Sequence, residues 1–270
     1  MYFGSPLYII LLLIPFAAVA VLRLALCKRS DKTTEIVILV LMLFNVLQHI
    51  FKHYLYPQYR GREFSIYATA YNMCSVLILI GPLVLKWGNR FFKNFLYFVG
   101  SAAGIGAISF PFWFFGVPAE ELGWDFVRFY LCHLLLFVTS VLPLVQGLHR
   151  PERREFWQIG AGFLLALCVI LINDVIFVSM GYSFYNIEGD IYTQLNQSNP
   201  CMLMGPKAGF AWLSGFLECF SLPVFLGQNP AGCYAPILWY ALPVYLGISG
   251  ASLALFTVLE RLYNKTGRDI

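Results

Sequence analysis

The sequence predicts an all-α membrane protein, a bundle of about seven transmembrane helices. Apolar residues make up 59% of the chain and charged residues only 12%, and the mean hydropathy is +0.71. Runs of roughly 20 apolar residues recur along the chain, which is the length that crosses ~30 Å of hydrocarbon. These observations exclude a soluble globular protein. We expect a multi-pass integral protein of the plasma membrane if the source is bacterial, or of an endomembrane if it is eukaryotic.

Each predicted span follows an apolar run that is long enough to cross the bilayer. The first run is longer than the core of a typical signal peptide, no basic region precedes it and no small-residue cleavage site ends it, so we expect a retained first span. In chain order, the predicted spans are residues 5–27, 35–56, 66–86, 94–117, 125–148, 156–180 and 235–263.

Basic residues in the short loops predict that the N-terminus lies outside and the C-terminus in the cytoplasm, because Lys and Arg are enriched in cytoplasmic loops. The second loop, on the opposite side, carries Arg60 and Arg62, which weaken the contrast. The cytoplasmic loops account for the net charge of +4, so we expect membrane lipids rather than nucleic acid as partners. The basic residues in question occupy the first, third and fifth loops and the C-terminal tail: Lys28, Arg29, Lys32, Lys86, Arg90, Lys93, Arg150, Arg153, Arg154, Arg261, Lys265 and Arg268.

A compositional break separates the last two spans. Residues 1–270 otherwise form a single transmembrane helical domain, and the segment at about 182–234 is an outer insertion, rich in Asn, Gly and Pro, that we predict to be a lid. Residues 208–226 within it are apolar, but two glycines, a glutamate and a proline favour a re-entrant or interfacial segment over an eighth crossing. Cys201, Cys219 and Cys233 also lie there, where an oxidising compartment would allow one disulfide between any two of them.

Polar side chains recur at one depth in four of the predicted spans. Cys74 lies nine residues from the outer end of the third span and His133 nine residues from that of the fifth, about 13 Å down at ~1.5 Å per residue. His49 lies seven residues from the outer end of the second span, and Asn173 and Asp174 lie seven and six residues from that of the sixth. Ionisable groups at this depth are costly unless they meet a partner or water, so we expect an internal cavity. Bridging between helices is the alternative interpretation.

A cysteine and a histidine at the same depth suggest covalent acyl chemistry, because an imidazole can generate the nucleophilic thiolate. The hypothesis is that Cys74 is the catalytic nucleophile and His133 the general base. Asn72, Asn173 and Asp174 are the candidates for stabilising an oxyanion or for orienting the histidine.

Two side chains are candidates for contact with a lipid headgroup. Arg128, near the outer end of the fifth span, can reach a phosphate, although simple interfacial anchoring explains it equally well. His49 is the second candidate. His49 and His53 also have the i, i+4 spacing of a metal pair, but no third ligand accompanies them, so we predict no metal site and no cofactor.

Several short motifs resemble those of the YwaF-type integral membrane proteins. The stretch Tyr-Asn-Met-Cys at 71–74 is similar to that family's Leu-Pro-Leu-His-Leu-Cys signature, and the run at 126–133 is similar to an aromatic-rich run that ends in His. Asn173 and the Gly-Tyr pair at 181–182 resemble its positions in and after the sixth span. The resemblance covers about residues 66–185 and, less closely, 234–245, where Pro, Trp and Tyr residues are similar to a Gly-Pro-Trp-Pro-Trp-Tyr segment.

This family is related to the eukaryotic transmembrane protein 164, an acyltransferase that remodels ether phospholipids. The resemblance implies a membrane-embedded lipid acyltransferase or transacylase that uses Cys74 and His133 on phospholipid acyl esters. Two departures from the family pattern matter: Asn72 stands where a His is customary, and the outer insertion is unusually long. A lipid-ester hydrolase of the same architecture is one alternative, and a non-enzymatic transporter or a lipid- or metabolite-binding protein is another.

Overall fold

Every regular element in the described part of the chain is a helix, which confirms the all-α prediction. The computed structural model describes residues 2–55, 66–111, 114–118, 121–184, 187–206, 211–227 and 234–265. The helices are α1 (Pro6–Leu26), α2 (Asp31–Ile50), α3 (Lys52–Leu55), α4 (Met73–Trp87), α5 (Arg90–Ser109), α6 (Trp124–Val145), α7 (Trp157–Ser179), α8 (Ile191–Ser198), α9 (Ala211–Cys219) and α10 (Leu238–Lys265).

Among the described residues, six helices are long and apolar enough to cross a membrane: α1, α2, α5, α6, α7 and α10. The apolar helix α4 is shorter, with 15 residues. Together they correspond to the seven predicted spans, and the chain is an integral multi-pass membrane protein. The direction in which the termini face stays a prediction, and Arg60, Arg62 and Arg268 lie outside the described residues.

Side-chain caps set the first residues of several helices, because a Ser or Asn oxygen accepts one of the unpaired N–H groups of the first turn. The Ser30 hydroxyl accepts from the Thr33 amide at 3.2 Å, and the Asn89 side chain accepts from the Phe92 amide at 3.2 Å. Helices α2 and α5 therefore each begin four residues before the predicted start. The predicted end of the fourth span at 117 is wrong, because Phe110 precedes a proline that cannot continue α5.

The third predicted span differs most from the structure, because its first seven residues do not belong to α4. Ile66–Ala68 form one 3-10 turn and the chain is irregular to Asn72, so the predicted helix from 66 is wrong over this stretch. Helix α4 is about 22 Å long at ~1.5 Å per residue. Irregular backbone at membrane depth is tolerated where protein buries it, and Ile66, Ala68 and Thr69 are 1%, 6% and 7% exposed.

The chain divides into two compact units. The first contains the described residues of Met1–Gly61 and Leu77–Pro151. Within it α5 packs closely on α6 at two glycines of α5, since a Cβ at Gly100 would collide with Ser140 and a Cβ at Gly104 would lie 2.8 Å from Phe137. Helices α1 and α2 also pack on α6.

The second unit contains the described residues of Arg62–Val76 and Glu152–Asp269. Its main pair is α7 and α10, which approach closely where Gly160 faces Ser249. Helix α10 begins three residues after the predicted position 235, because Ile237 has a left-handed φ of 64°. The Ile237 amide donates to the Leu203 carbonyl at 2.9 Å, and the Trp239 indole donates to the Met202 carbonyl at 2.9 Å. The insertion thereby anchors the start of α10.

Helix α9 covers about half of the apolar part of the insertion. Its nine residues extend only about 14 Å at ~1.5 Å per residue, so α9 makes no eighth crossing. Cys219, at its end, has an unbonded thiol, so it forms neither of the disulfides considered for it. Cys233 lies outside the described residues.

Candidate active site

Cys74 lies in the second unit, as the second residue of α4. The prediction that it sits nine helical residues deep is wrong, because α4 begins only at Met73. The first-turn N–H groups of a helix lack intrahelical acceptors and carry partial positive charge. The half-buried Cys74 thiol therefore lies in the turn where a helix attracts negative charge.

Asn72 is the cap of α4. Its side-chain oxygen accepts from the Ser75 amide at 2.9 Å, and its backbone carbonyl accepts from the Val76 amide at 3.0 Å. These two bonds fix the first turn that carries Cys74. The side-chain oxygen of Asn72 is therefore occupied by the Ser75 amide. In the predicted oxyanion role, its amide nitrogen would be the hydrogen-bond donor.

A polar network in the second unit ties the segment before Cys74 to α7. The Asn173 amide nitrogen donates to Thr69 Oγ1 at 2.8 Å and to Asp174 Oδ1 at 3.0 Å. The Thr69 hydroxyl donates in turn to the Ile66 carbonyl at 2.6 Å. Asn173 therefore ties the irregular chain that leads into α4 to α7.

Asp174 is completely buried, with 0% of its surface exposed. Its Oδ1 accepts from Asn173, while its Oδ2 has no hydrogen-bond partner in the structure. A buried carboxyl oxygen without a partner is rare and carries a free-energy penalty. Packing alone therefore does not explain why this apolar helix carries a carboxyl group at Asp174.

His133 lies in the first unit, at the tenth position of α6. Its Nδ1 lies 2.7 Å from the Phe129 carbonyl oxygen. Because a carbonyl can only accept, Nδ1 must carry the proton, and in the neutral ring Nε2 is then an acceptor. A histidine that acts as a general base through Nε2 must be in this tautomer, because Nε2 has to be free to accept a proton.

The His133 ring rests on an aromatic support. Its centroid lies 4.4 Å from that of Phe129, which contacts the Phe114 ring at 5.3 Å. Phe114 and Phe129 pack against the buried cluster that includes Phe126 and Tyr130. The imidazole is therefore held both by a hydrogen bond and by packed rings.

A second polar group of the first unit contains a lysine that the sequence interpretation missed. Lys52 is only 3% exposed, and burial together with the nearby Arg128 lowers its pKa from 10.5 to about 7. Arg128 Nε forms an ion pair with Asp125 Oδ1 at 3.6 Å. We call Lys52, Asp125 and Arg128 the cationic cluster. The sequence signal for Lys52 was its place directly after an apolar run, three residues beyond His49.

Two buried amides fasten the end of α2 to α6 beside this cluster. Asn45 Nδ2 donates to the Cys132 carbonyl at 3.0 Å, and Gln48 Nε2 donates to Asn45 Oδ1 at 2.9 Å. His49, a predicted headgroup contact, lies in the same last turn of α2 and is 4% exposed. The arrangement brings His49, Lys52 and Arg128 into one unit.

The structure thus brings some predicted residues together within a unit. Asn173 contacts Asp174 and the segment before Asn72 and Cys74 in the second unit, whereas His133 lies in the first. The pairing of Cys74 with His133 stays a prediction. In the part of the chain that the structure describes, no group of three or more His, Cys, Asp or Glu side chains could hold a metal ion. The His53 side chain lies outside that part.

Comparison with models of protein families gives a match over most of the chain. The model of the TMEM164 family matches residues 2–227. This match confirms the resemblance seen in the motifs, except for the stretch at 234–245, which lies beyond the matched residues. No curated protein and no solved structure matches the chain.

Proposed function

The chain belongs to the TMEM164 family, and from that premise we propose that it is a membrane-embedded acyltransferase acting on phospholipid acyl esters. Cys74 is the proposed nucleophile and His133 the proposed general base. Membrane lipids are the substrates, and the chemistry needs no metal or organic cofactor.

The proposed reaction has two balanced halves. In the first, the Cys74 thiol gives its proton to His133 Nε2, the sulfur attacks the ester carbonyl, and the ester C–O bond breaks. The leaving lysolipid oxygen takes the proton from His133, and the acyl chain remains as a thioester. In the second, an acceptor hydroxyl gives its proton to His133 and attacks the thioester. The Cys74 sulfur leaves and regains the proton.

The observation that carries this proposal is the place of Cys74 in the capped first turn of α4. A helix start stabilises negative charge, both on a thiolate and on an oxyanion that forms beside it. The protonated Nδ1 of His133 adds support, because it leaves Nε2 in the acceptor state that proton removal from a thiol requires.

Asn173 and Asp174 are proposed to act through position rather than by contact with the reacting atoms. The Asn173 hydrogen bond to Thr69 holds the chain that enters α4. Asp174 fixes the Asn173 amide group through its Oδ1. Together they would keep Cys74 in one orientation, which is how much of an enzyme's rate enhancement is achieved.

Trapping of an acyl-thioester tests the proposal. The purified full-length protein is incubated with a phospholipid that carries a radiolabelled acyl chain, and label on the protein is measured before and after neutral hydroxylamine, which cleaves thioesters. We expect hydroxylamine-sensitive label on the wild type and none on Cys74→Ala. Cys168→Ala is the matched control, because Cys168 is an exposed cysteine of α7 outside the proposed site, and it should label as the wild type does.

The variant His133→Gln separates the base from the nucleophile. We expect it to label at least about 100-fold more slowly, since general base catalysis contributes about 10²–10⁴-fold. Transfer that continues in Cys74→Ala would eliminate the mechanism. If label leaves the wild-type thioester only as free fatty acid when a lysolipid acceptor is in excess, the protein is a hydrolase and the transfer step is wrong.

A further inference from the structure

The insertion between α7 and α10 contains an acceptor sequence for N-glycosylation. Residues 196–198 read Asn-Gln-Ser, which is the Asn-x-Ser/Thr pattern that oligosaccharyltransferase modifies when x is not proline. The 270-residue sequence contains one further match to this pattern, Asn-Lys-Thr at 264–266. The predicted topology places the two on opposite sides of the membrane, with the insertion outside and the C-terminal tail in the cytoplasm. The proposed acyl transfer uses neither of them.

The structure leaves the side chain of Asn196 available for modification. Asn196 lies near the end of α8, whose buried residue is its neighbour Leu195. Asn196 itself is partly exposed, and Gln197 after it is exposed. Within the described part of the chain, the Asn196 side chain takes part in no hydrogen bond or ion pair. A glycan on its amide nitrogen could therefore extend into solvent without removing a contact that holds the fold.

Asn199, three residues later, has the opposite environment. It is 4% exposed, its Nδ2 donates to the Gly205 carbonyl at 3.0 Å, and its Oδ1 accepts from the Met204 amide at 2.8 Å. The proline at position 200 also excludes Asn199 from the acceptor pattern. The fold thus uses Asn199 for its own hydrogen bonds, because the amide satisfies backbone groups of the turn, and presents Asn196 to solvent.

We propose that Asn196 is a site of N-linked glycosylation in the lumen of the endoplasmic reticulum. The Asn196 amide nitrogen forms a bond to the anomeric carbon of a polyprenyl-diphosphate-linked oligosaccharide and loses a proton, while the bond from that carbon to the diphosphate breaks and polyprenyl diphosphate leaves. Asn196 follows Ser179, the last residue of α7, by 17 positions (196 − 179). That length of extended chain reaches up to about 56 Å at ~3.3 Å per residue, so the acceptor can stand clear of the membrane. Asn264, by contrast, is the last residue but one of α10.

Translation of the full-length chain with microsomes of the endoplasmic reticulum tests this site. Mobility on a denaturing gel is compared before and after digestion with peptide-N-glycosidase, so a variant that folds poorly still gives a readout. We expect the wild type to show a single slower band that digestion removes, and Asn196→Gln and Ser198→Ala to lose it. Ser198→Thr keeps the acceptor pattern and should keep the band. Asn264→Gln is the matched control, and both it and Cys74→Ala should shift as the wild type does.

Two results would overturn the proposal. The first is a wild-type chain that resists extraction from the microsomes by alkaline carbonate, and is therefore inserted, but shows no band that digestion removes. The second is a band that persists in Asn196→Gln and disappears in Asn264→Gln, which would place the C-terminal tail in the lumen and reverse the predicted topology. Neither result depends on whether Cys74 forms a thioester, so this proposal and the proposed function fail separately.

Discussion

Asn173 Nδ2 donates a hydrogen bond to Thr69 Oγ1 at 2.8 Å and so joins two residues that are 104 positions apart in the chain. The bond connects α7 with the irregular segment that precedes α4. Within that segment, Thr69 donates onward to the Ile66 carbonyl. Any change in this contact therefore acts on the chain that carries Cys74, five residues after Thr69.

Removal of this bond should slow acylation and also destabilise the fold. We expect Asn173→Leu to reduce the rate of thioester formation about tenfold or more, while the free energy of unfolding falls by roughly 1–3 kcal/mol, because the Thr69 and Asp174 oxygens lose their donor. Rates are measured by hydroxylamine-sensitive labelling and stability by thermal unfolding in detergent.

Two substitutions of the partner control for this effect. Thr69→Ser keeps the hydroxyl and should label nearly as the wild type does, whereas Thr69→Val keeps the shape, lacks the hydroxyl and should behave as Asn173→Leu does. If Thr69→Val labels at the wild-type rate, Asn173 has no positioning role through Thr69.

The Asn72 cap should matter for both stability and thiol reactivity. Asn72→Ala removes the acceptor for the Ser75 amide, which we expect to lower the free energy of unfolding by about 1 kcal/mol. Asn72→Ser retains a capping oxygen and should recover most of that loss. Alkylation of Cys74 with a small electrophile, measured at one pH, should be slower in Asn72→Ala than in Asn72→Ser. Equal alkylation rates would show that the helix start does not activate the thiol.

The spans were predictable from the sequence, while the site was predictable only in part. A transmembrane helix needs a minimum length of apolar sequence to cross the hydrocarbon. The long apolar runs therefore predict where α1, α6 and α7 lie in the sequence. The start of α4 was not predictable from hydropathy, because residues 66–72 are apolar enough to belong to the same helix. The helix begins after Asn72, whose side chain caps its first turn. Lys52 was missed for a related reason: its burial depends on the tertiary structure and leaves no mark on the local sequence.

The buried Lys52 predicts a specific dependence of stability on pH. Burial, with Arg128 adding to it and Cys132 and Asp125 opposing it, lowers the pKa of Lys52 to about 7 in the folded protein, from 10.5. Between these two pH values the unfolded chain binds a proton that the folded chain does not. The free energy of unfolding therefore rises with pH across this window, while below pH 7 the full penalty of the buried charge is present.

Thermal unfolding in detergent checks this sign. The Tm of the wild type, taken relative to that of Lys52→Met, should increase from pH 7 to pH 9. Lys32→Met, which changes an exposed lysine of α2, should follow the wild type over the same range. A wild-type Tm that falls relative to Lys52→Met as the pH rises would contradict a lowered pKa at Lys52.

The close packing of α5 on α6 predicts that Gly104 supports the position of His133. A Cβ on Gly104 would lie 2.8 Å from the Phe137 Cβ and backbone nitrogen and 2.9 Å from the His133 carbonyl oxygen. These are backbone and Cβ atoms that cannot turn aside, so Gly104→Ala must push α6 away. We expect a loss of roughly 1–3 kcal/mol in the free energy of unfolding, as for other overpacked sites, and slower thioester formation.

Gly106→Ala is the matched control for this prediction, because no atom lies within 4 Å of a Cβ at Gly106 on the same helix. Alanine is favoured over glycine inside helices by about 1 kcal/mol, so Gly106→Ala should be as stable as the wild type or more stable. Thermal unfolding and labelling with the acyl donor are measured on both variants side by side. If Gly104→Ala matches Gly106→Ala in both measurements, the contact of α5 with the His133 backbone does not constrain the imidazole, and its orientation must then depend on Phe129 alone.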